Sequence, residues 1–156
     1  PLRAPSEVVA RCHLGLPVVV RVPPHLDDGT PFPTRYWLTC PLATTRIARL
    51  ESAGGVKRME NKARADDAFE AALERAHAAY AAERDAAITL TTAPKPSGGV
   101  AGSAKGVKCL HAHYAHHGAG GENPVGKLVD DWIGPLDCEQ PCVLDGAMNP
   151  DWVNRP

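Results

Sequence analysis

Two short runs of β-branched and aromatic residues lie in the first quarter of the chain. Residues 18–22 read VVVRV and residues 36–39 read YWLT. Runs of this length, bounded by turn residues, are typical of strands. The segment between them contains Asp28-Gly29 and several prolines, which favour a tight turn and a stiff extended arm. The pattern therefore predicts a β-hairpin with a long, rigid loop.

Further along, apolar residues recur at the spacing of a helical face. The segments with this pattern are residues 42–53, 61–88 and 125–133. Residues 6–11 also predict a short helix, with Ser6 as its cap. Residues 89–106 are rich in Gly, Pro and Ser and predict a flexible loop.

These elements predict an α+β fold with a single domain over residues 1–133. In it a small β-hairpin packs against three to four helices, and residues 134–156 form an extended, proline-rich tail. A chain of 156 residues can bury roughly two-thirds of its unfolded surface, enough for a core without disulfides. Alanine supplies much of the 44 % apolar content, so we expect a thin core.

Composition excludes several classes of function. The formal net charge is −1 and aromatic residues make up 5 %, which argues against nucleic acid as a partner. No apolar run approaches the roughly 18 residues of a membrane span. Five cysteines suit a disulfide framework badly. With no export leader apparent, we expect a cytoplasmic protein whose thiols stay reduced for a metal or for catalysis.

Residues 109–117 hold one cysteine and four histidines. Sulfur and imidazole donors together suit zinc or an iron cluster better than magnesium or calcium. If the segment is helical throughout, Cys109, His113 and His116 share one face. If the helix begins later, Cys109 and His111 can both reach inward from a turn. The alternative without a metal is a helix with solvated histidines and one buried cysteine.

Two earlier cysteines are candidates for the same site. Cys12 lies in a turn before a strand, and Cys40 ends a strand where Pro41 opens a helix, a position that favours thiolate. The predicted ligands are therefore Cys12, Cys40 and Cys109, with His116, His113 or His111 as the fourth. Zinc is the first choice of metal, and an iron–sulfur cluster on three cysteines is the alternative.

An ion with an open position could activate water and act on a small anionic substrate. Arg11, Arg35 and Lys108, with His77 and Arg84 on one helical face, are the candidate anion-binding residues. Whether the protein is an enzyme stays open. The alternative is a non-catalytic module in which a structural zinc supports a surface for a protein partner. Thiol redox chemistry at Cys138 and Cys142, or inert buried cysteines, are further readings.

Several motifs resemble domain-of-unknown-function family 501, found mostly in actinobacteria. They are Arg11-Cys12-x-x-Gly15-x-Pro17, the arm Gly29-Thr30-Pro31-Phe32-Pro33-Thr34 with Tyr36-Trp37-Leu38-Thr39, and Val107-Lys108-Cys109-Leu110-His111. The resemblance covers roughly residues 8–128 and implies a small cytosolic protein without an established activity.

The resemblance also bears on the candidate ligands. The family position matching Cys40 can hold a histidine, an exchange that a zinc ligand tolerates. The matches to Cys12, Cys109, His111 and His116 are more constant in the family pattern. Residues outside that pattern are His113, His117, Cys138 and Cys142.

Overall fold

The computed structural model describes residues 5–153. A three-stranded sheet, five α-helices, one 3-10 turn (Val100–Gly102) and a small second hairpin make an α+β single-domain fold, as predicted. The strands are β1 (Glu7–Arg11), β2 (Pro17–Arg21), β3 (Tyr36–Leu38), β4 (Val143–Leu144) and β5 (Ala147–Met148). The helices are α1 (Pro41–Ser52), α2 (Gly55–Ala65), α3 (Asp67–Ala86), α4 (Leu110–Gly118) and α5 (Pro124–Ile133).

The sheet is antiparallel in the order β1-β2-β3. The predicted hairpin is confirmed, with Val20 opposite Trp37 in β2 and β3. The predicted helix over residues 6–11 is wrong, because this segment forms β1. Val8 pairs with Val20 across the sheet, and the pairing of a β-branched residue on the central strand outweighs a local helix cap.

The predicted helix over residues 61–88 forms as two helices instead of one. Asp66 has an extended backbone, and its carboxylate accepts the amide of Phe69 at 3.0 Å, which caps α3. The preceding helix α2 begins directly after Gly54, whose φ of +83° suits glycine and turns the chain out of α1.

Helix α4 lies at the centre of the core. Its Leu110 and Ala115 are fully buried, and it packs against the sheet, α1 and α5. The loop over residues 89–106 covers part of the same core, with Val100 fully buried. His77 and Arg84 of α3 hold this loop through hydrogen bonds to its backbone.

The tail after α5 packs back on the core through Leu136, Cys138 and Trp152. The guanidinium of Arg46 donates to the carbonyl oxygens of Ile133 at 3.0 Å and Pro135 at 2.7 Å. The tail thus starts anchored to α1. Within residues 5–153, no helix is both long enough and apolar enough to cross a membrane.

Candidate metal centre

Cys109 and His111 lie at the start of α4 and face Glu51 near the end of α1. Cys109 is the N-cap residue with an extended backbone (φ −154°, ψ 122°), and helical geometry begins at Leu110. One donor atom from each of Glu51, Cys109 and His111 lies within 4.8 Å of the other two. In residues 5–153 no other set of three Cys, His, Asp or Glu donors is this close.

The imidazole of His111 is held in an orientation that suits a ligand. Its Nε2 lies 3.1 Å from the carbonyl oxygen of Thr44, which can only accept, so Nε2 carries the proton. Nδ1 then faces the Cys109 Sγ at 3.9 Å and the Glu51 Oε1 at 3.3 Å. A metal-binding histidine commonly donates its second ring N–H to a backbone carbonyl in this way.

Glu51 connects the two helices. Its Oε1 accepts the amide of Leu110 at 2.6 Å and so satisfies a free donor at the start of α4. The start of α2 also approaches α4 closely, because an added Cβ at Gly55 would lie 2.9 Å from Leu110 Cδ1. The side chains of His111 and Glu51 remain 24 % and 28 % exposed, so solvent can reach the cluster.

The cluster favours positive charge. The hydrogen bond to Cys109 raises the pKa of His111 to about 9, against the opposing effect of burial, and the Thr44 carbonyl and Glu51 add to the rise. Without a metal, an imidazolium therefore sits between a thiol and a carboxylate at neutral pH. A divalent ion at this position replaces that proton.

His113 and His116 lie elsewhere, in the core on the other side of α4. The Asn123 Oδ1 accepts the amide of Gly126 at 2.9 Å and also lies 3.1 Å from His113 Nδ1, so the Asn123 amide group sits against both rings. Its Nδ2 lies 3.0 Å from His113 Nδ1 and 3.2 Å from His116 Nδ1. Burial lowers the pKa of His113 to about 3 and that of His116 to about 4, so both rings are neutral at pH 7.

The predicted ligands thus fall into three places. Cys109 and His111 lie close together. His113 and His116 are buried next to Asn123. Cys12 and Cys40 lie at one end of the sheet. Neither of the last two thiols joins the close donor set of Cys109 among the described residues. The predicted ligand set of Cys12, Cys40 and Cys109 with one histidine is therefore divided between separate sites.

Most of the candidate anion-binding residues serve the fold. Arg11 donates to the Gly15 carbonyl at 2.7 Å and Arg35 to the Val22 carbonyl at 2.7 Å. His77 and Arg84 hold the loop over residues 89–106. Lys108 is exposed and directly precedes Cys109, so it is the candidate cation next to the centre.

Glu51 is the site residue that sequence reasoning missed. It is the next-to-last residue of α1, where a negative charge opposes the helix dipole. An acidic residue at that position indicates a compensating partner, and this signal was available in the sequence.

One known protein family matches most of the chain. Residues 8–131 match the family described as "Protein of unknown function (DUF501)". The chain belongs to the DUF501 family. The match includes Glu51, Cys109 and His111 and ends before Cys138 and Cys142. No curated protein and no solved structure matches this DUF501 chain.

Proposed function

We propose that Glu51, Cys109 and His111 bind a divalent transition-metal ion, zinc in the first place, and that this DUF501 protein acts through that ion. The observation that carries the proposal is the convergence of three different donors around an imidazole whose Nδ1 is already oriented by Thr44. Thiolate, imidazole and carboxylate are all zinc ligands, and hard ions such as magnesium do not favour the sulfur.

Three protein ligands leave one position of a tetrahedral ion open, which is the pattern of catalytic zinc sites. The partial exposure of His111 and Glu51 lets water or a substrate oxygen reach that position. The two anionic ligands balance the charge of the ion, so an anionic substrate group would need a further cation nearby. The exposed Lys108 can supply it, which supports a small anionic substrate.

The direct test is zinc affinity in competition with a chromophoric chelator. Cys109→Ser and Glu51→Gln each remove a ligand with little change of volume, while His117→Gln on the same helix is the matched control. A lost ligand should weaken binding by more than the roughly 10–100-fold that loss of a supporting partner costs. The same zinc stoichiometry and affinity in Cys109→Ser as in the wild type would refute the proposal.

A cytoplasmic location and occurrence mainly in actinobacteria fit this proposal and stay predictions. Cys109 must be reduced to bind a metal, and reducing compartments keep it so. Fractionation of cells that express the native chain tests the location: recovery with an exported fraction would contradict it.

A further inference from the structure

Two cysteines flank the first residue of the central strand. Cys12 directly follows β1, whose last pair joins Arg11 to Pro17 at the start of β2. Cys40 follows β3 on the other side of β2, where the Thr39 hydroxyl donates to the Pro17 carbonyl at 3.1 Å. Both thiols therefore belong to the same end of the sheet, one on each side of β2.

The tail brings two more cysteines to this end. The His13 Nε2 lies 2.9 Å from the carbonyl oxygen of Cys138, which ties the tail to the residue after Cys12. Cys142 directly precedes β4, and its carbonyl accepts the amide of Asn149 at 3.0 Å, which closes the small hairpin behind it. The C-x3-C segment is thus held between the sheet end and a hairpin.

The four thiols are close enough to influence one another electrostatically. Burial raises the pKa of Cys40, and the charges of Cys138 and Cys142 raise it further. Burial likewise raises the pKa of Cys142, with added contributions from Cys138 and Cys12. Four thiols grouped at one end of the sheet are the soft donors that zinc prefers.

The surrounding backbone provides donors for thiolate sulfur. Cys40 is the N-cap residue of α1, so its side chain lies beside the free backbone amides of the first turn of that helix. Residues 12–15 form a tight turn in which the Gly15 amide donates to the Cys12 carbonyl at 2.9 Å, with a Gly15 φ of +77°. Cys12 thus begins a tight turn and Cys40 precedes a helix, both at the same end of the sheet.

We propose that Cys12, Cys40, Cys138 and Cys142 bind one zinc ion as four thiolates, separate from the centre at Glu51, Cys109 and His111. The C-x3-C spacing lies within the range of structural zinc sites, and four protein ligands leave no open position. The site is therefore structural. It does not depend on the function proposed above, because the two sites share no ligand.

Binding requires a local rearrangement of the thiols. Zinc–sulfur bonds of about 2.3 Å place tetrahedral sulfurs about 3.8 Å apart. In the described chain no three of the four sulfurs lie within 4.8 Å of one another. Zinc binding would therefore require the cysteine side chains to turn towards one another, between staggered rotamers about the Cα–Cβ bonds.

The site explains how a mostly exposed tail is held in place. Between Gly134 and Val153, the tail buries only Asn149 fully, and the two-residue strands β4 and β5 are marginal by themselves. A zinc ion on Cys12, Cys40 and the tail cysteines closes loops of over a hundred residues in the chain, and such closures contribute most to stability.

Cobalt(II) loading of the full chain provides the first test, because thiolate-to-cobalt charge transfer grows with the number of bound thiolates. The wild type and Cys109→Ser should both show an intense tetrahedral spectrum with four thiolates. The double variant Cys138→Ser/Cys142→Ser should lose it and keep at most the weaker one-thiolate spectrum. A four-thiolate spectrum in the double variant, or none in the wild type, would overturn the proposal.

A second test uses the wild type alone, since the double variant could fold poorly. Alkylation of zinc-loaded protein, mapped by peptide mass spectrometry, should spare all four cysteines until a chelator is added. The four should then react together. Alkylation of Cys138 and Cys142 at the same rate with and without chelator would overturn the proposal. So would iron with labile sulfide, or a Cys138–Cys142 disulfide, in protein purified with reductant and without oxygen.

Discussion

The first turn of α4 and the buried face of the same helix both contain histidines, but the two regions differ in their surroundings. At the first turn, acceptors surround His111 and raise its pKa to about 9. On the buried face, Asn123 hydrogen-bonds to His113 and His116, and burial lowers their pKa values to about 3 and 4. Neighbouring positions of the same residue type thus differ in charge at neutral pH because their partners differ.

The tautomers of these histidines also determine which ring nitrogen is free to bind a metal. A metal needs a free ring nitrogen with a lone pair. The Thr44 carbonyl fixes the proton of His111 on Nε2 and leaves Nδ1 for a ligand, whereas Asn123 occupies Nδ1 of both buried rings. Among the described residues, the remaining Nε2 of His113 has no hydrogen-bond partner and is fully buried. The buried pair lies in the core and connects α4 to the start of α5 through Asn123.

The largest predicted effect is a loss of stability in mild acid. The pKa values of His113 and His116 are lower in the folded protein than the 6.5 of an unfolded histidine, so the unfolded state binds more protons below pH 6.5. The free energy of unfolding should fall as the pH drops from 6.5 towards 4, by about 1.4 kcal/mol per unit of pKa difference titrated. Urea unfolding at pH 7, 5.5 and 4.5 measures this change in unfolding free energy.

A matched pair of variants tests whether this loss of stability in acid originates at the buried histidines of α4. His116→Phe removes one buried titrating ring and should flatten the dependence between pH 6.5 and 4.5, while His117→Gln on the same helix should leave it unchanged. A ring signal of His113 or His116 that titrates near pH 6.5 by NMR would contradict the prediction.

Asn123 should be the next most sensitive position. Asn123→Ala leaves Nδ1 of His113 and His116 buried without a donor and removes the cap of α5, which accepts from Gly126. A lost cap costs about 1 kcal/mol and each of the two buried unsatisfied groups costs at least about 1 kcal/mol, so we expect the unfolding free energy at pH 7 to fall by at least about 3 kcal/mol.

The control for Asn123 is Asn61→Ala, because Asn61 is exposed on α2 and its side chain accepts a hydrogen bond from Arg64 on the same helix. This change should cost less than about 0.5 kcal/mol. Equal losses in the two variants, measured by urea unfolding at the same pH, would show that the buried network contributes nothing specific.

Local patterns in the sequence were sufficient for much of the fold. The β-branched run of β2, the proline at the start of α1 and the Asn123-Pro124 cap of α5 predict those elements near their observed ends. The β4–β5 hairpin of the tail and the first residues of α2 were not predicted, and the two largest exceptions are β1 and the break at Asp66. The pairing of β1 depends on β2, and the break depends on how α2 and α3 pack, so neither is a property of the segment alone.

The candidate site was harder to predict because its members are distant in sequence. Cys109 and His111 stand out by composition, but Glu51 joins them only through the packing of α1 against α4. The choice between His111 and His113 depends on where α4 begins and on Thr44 and Asn123, which carry no periodic signal. Helical spacing alone favoured His113, and packing places it in the core.

The smallest predicted effect is a loss of stability at alkaline pH, which originates at His111. In chelator-treated protein the pKa of His111 is about 9, above the unfolded 6.5, so its contribution to stability is complete below pH 6.5 and disappears as the pH rises through 9. Because the side chain is partly exposed, we expect about 1 kcal/mol or less. His111→Gln should abolish this alkaline loss, and His117→Gln should preserve it. Urea unfolding at pH 6 and 9.5 compares them; an unchanged loss in His111→Gln would place its origin outside the first turn of α4.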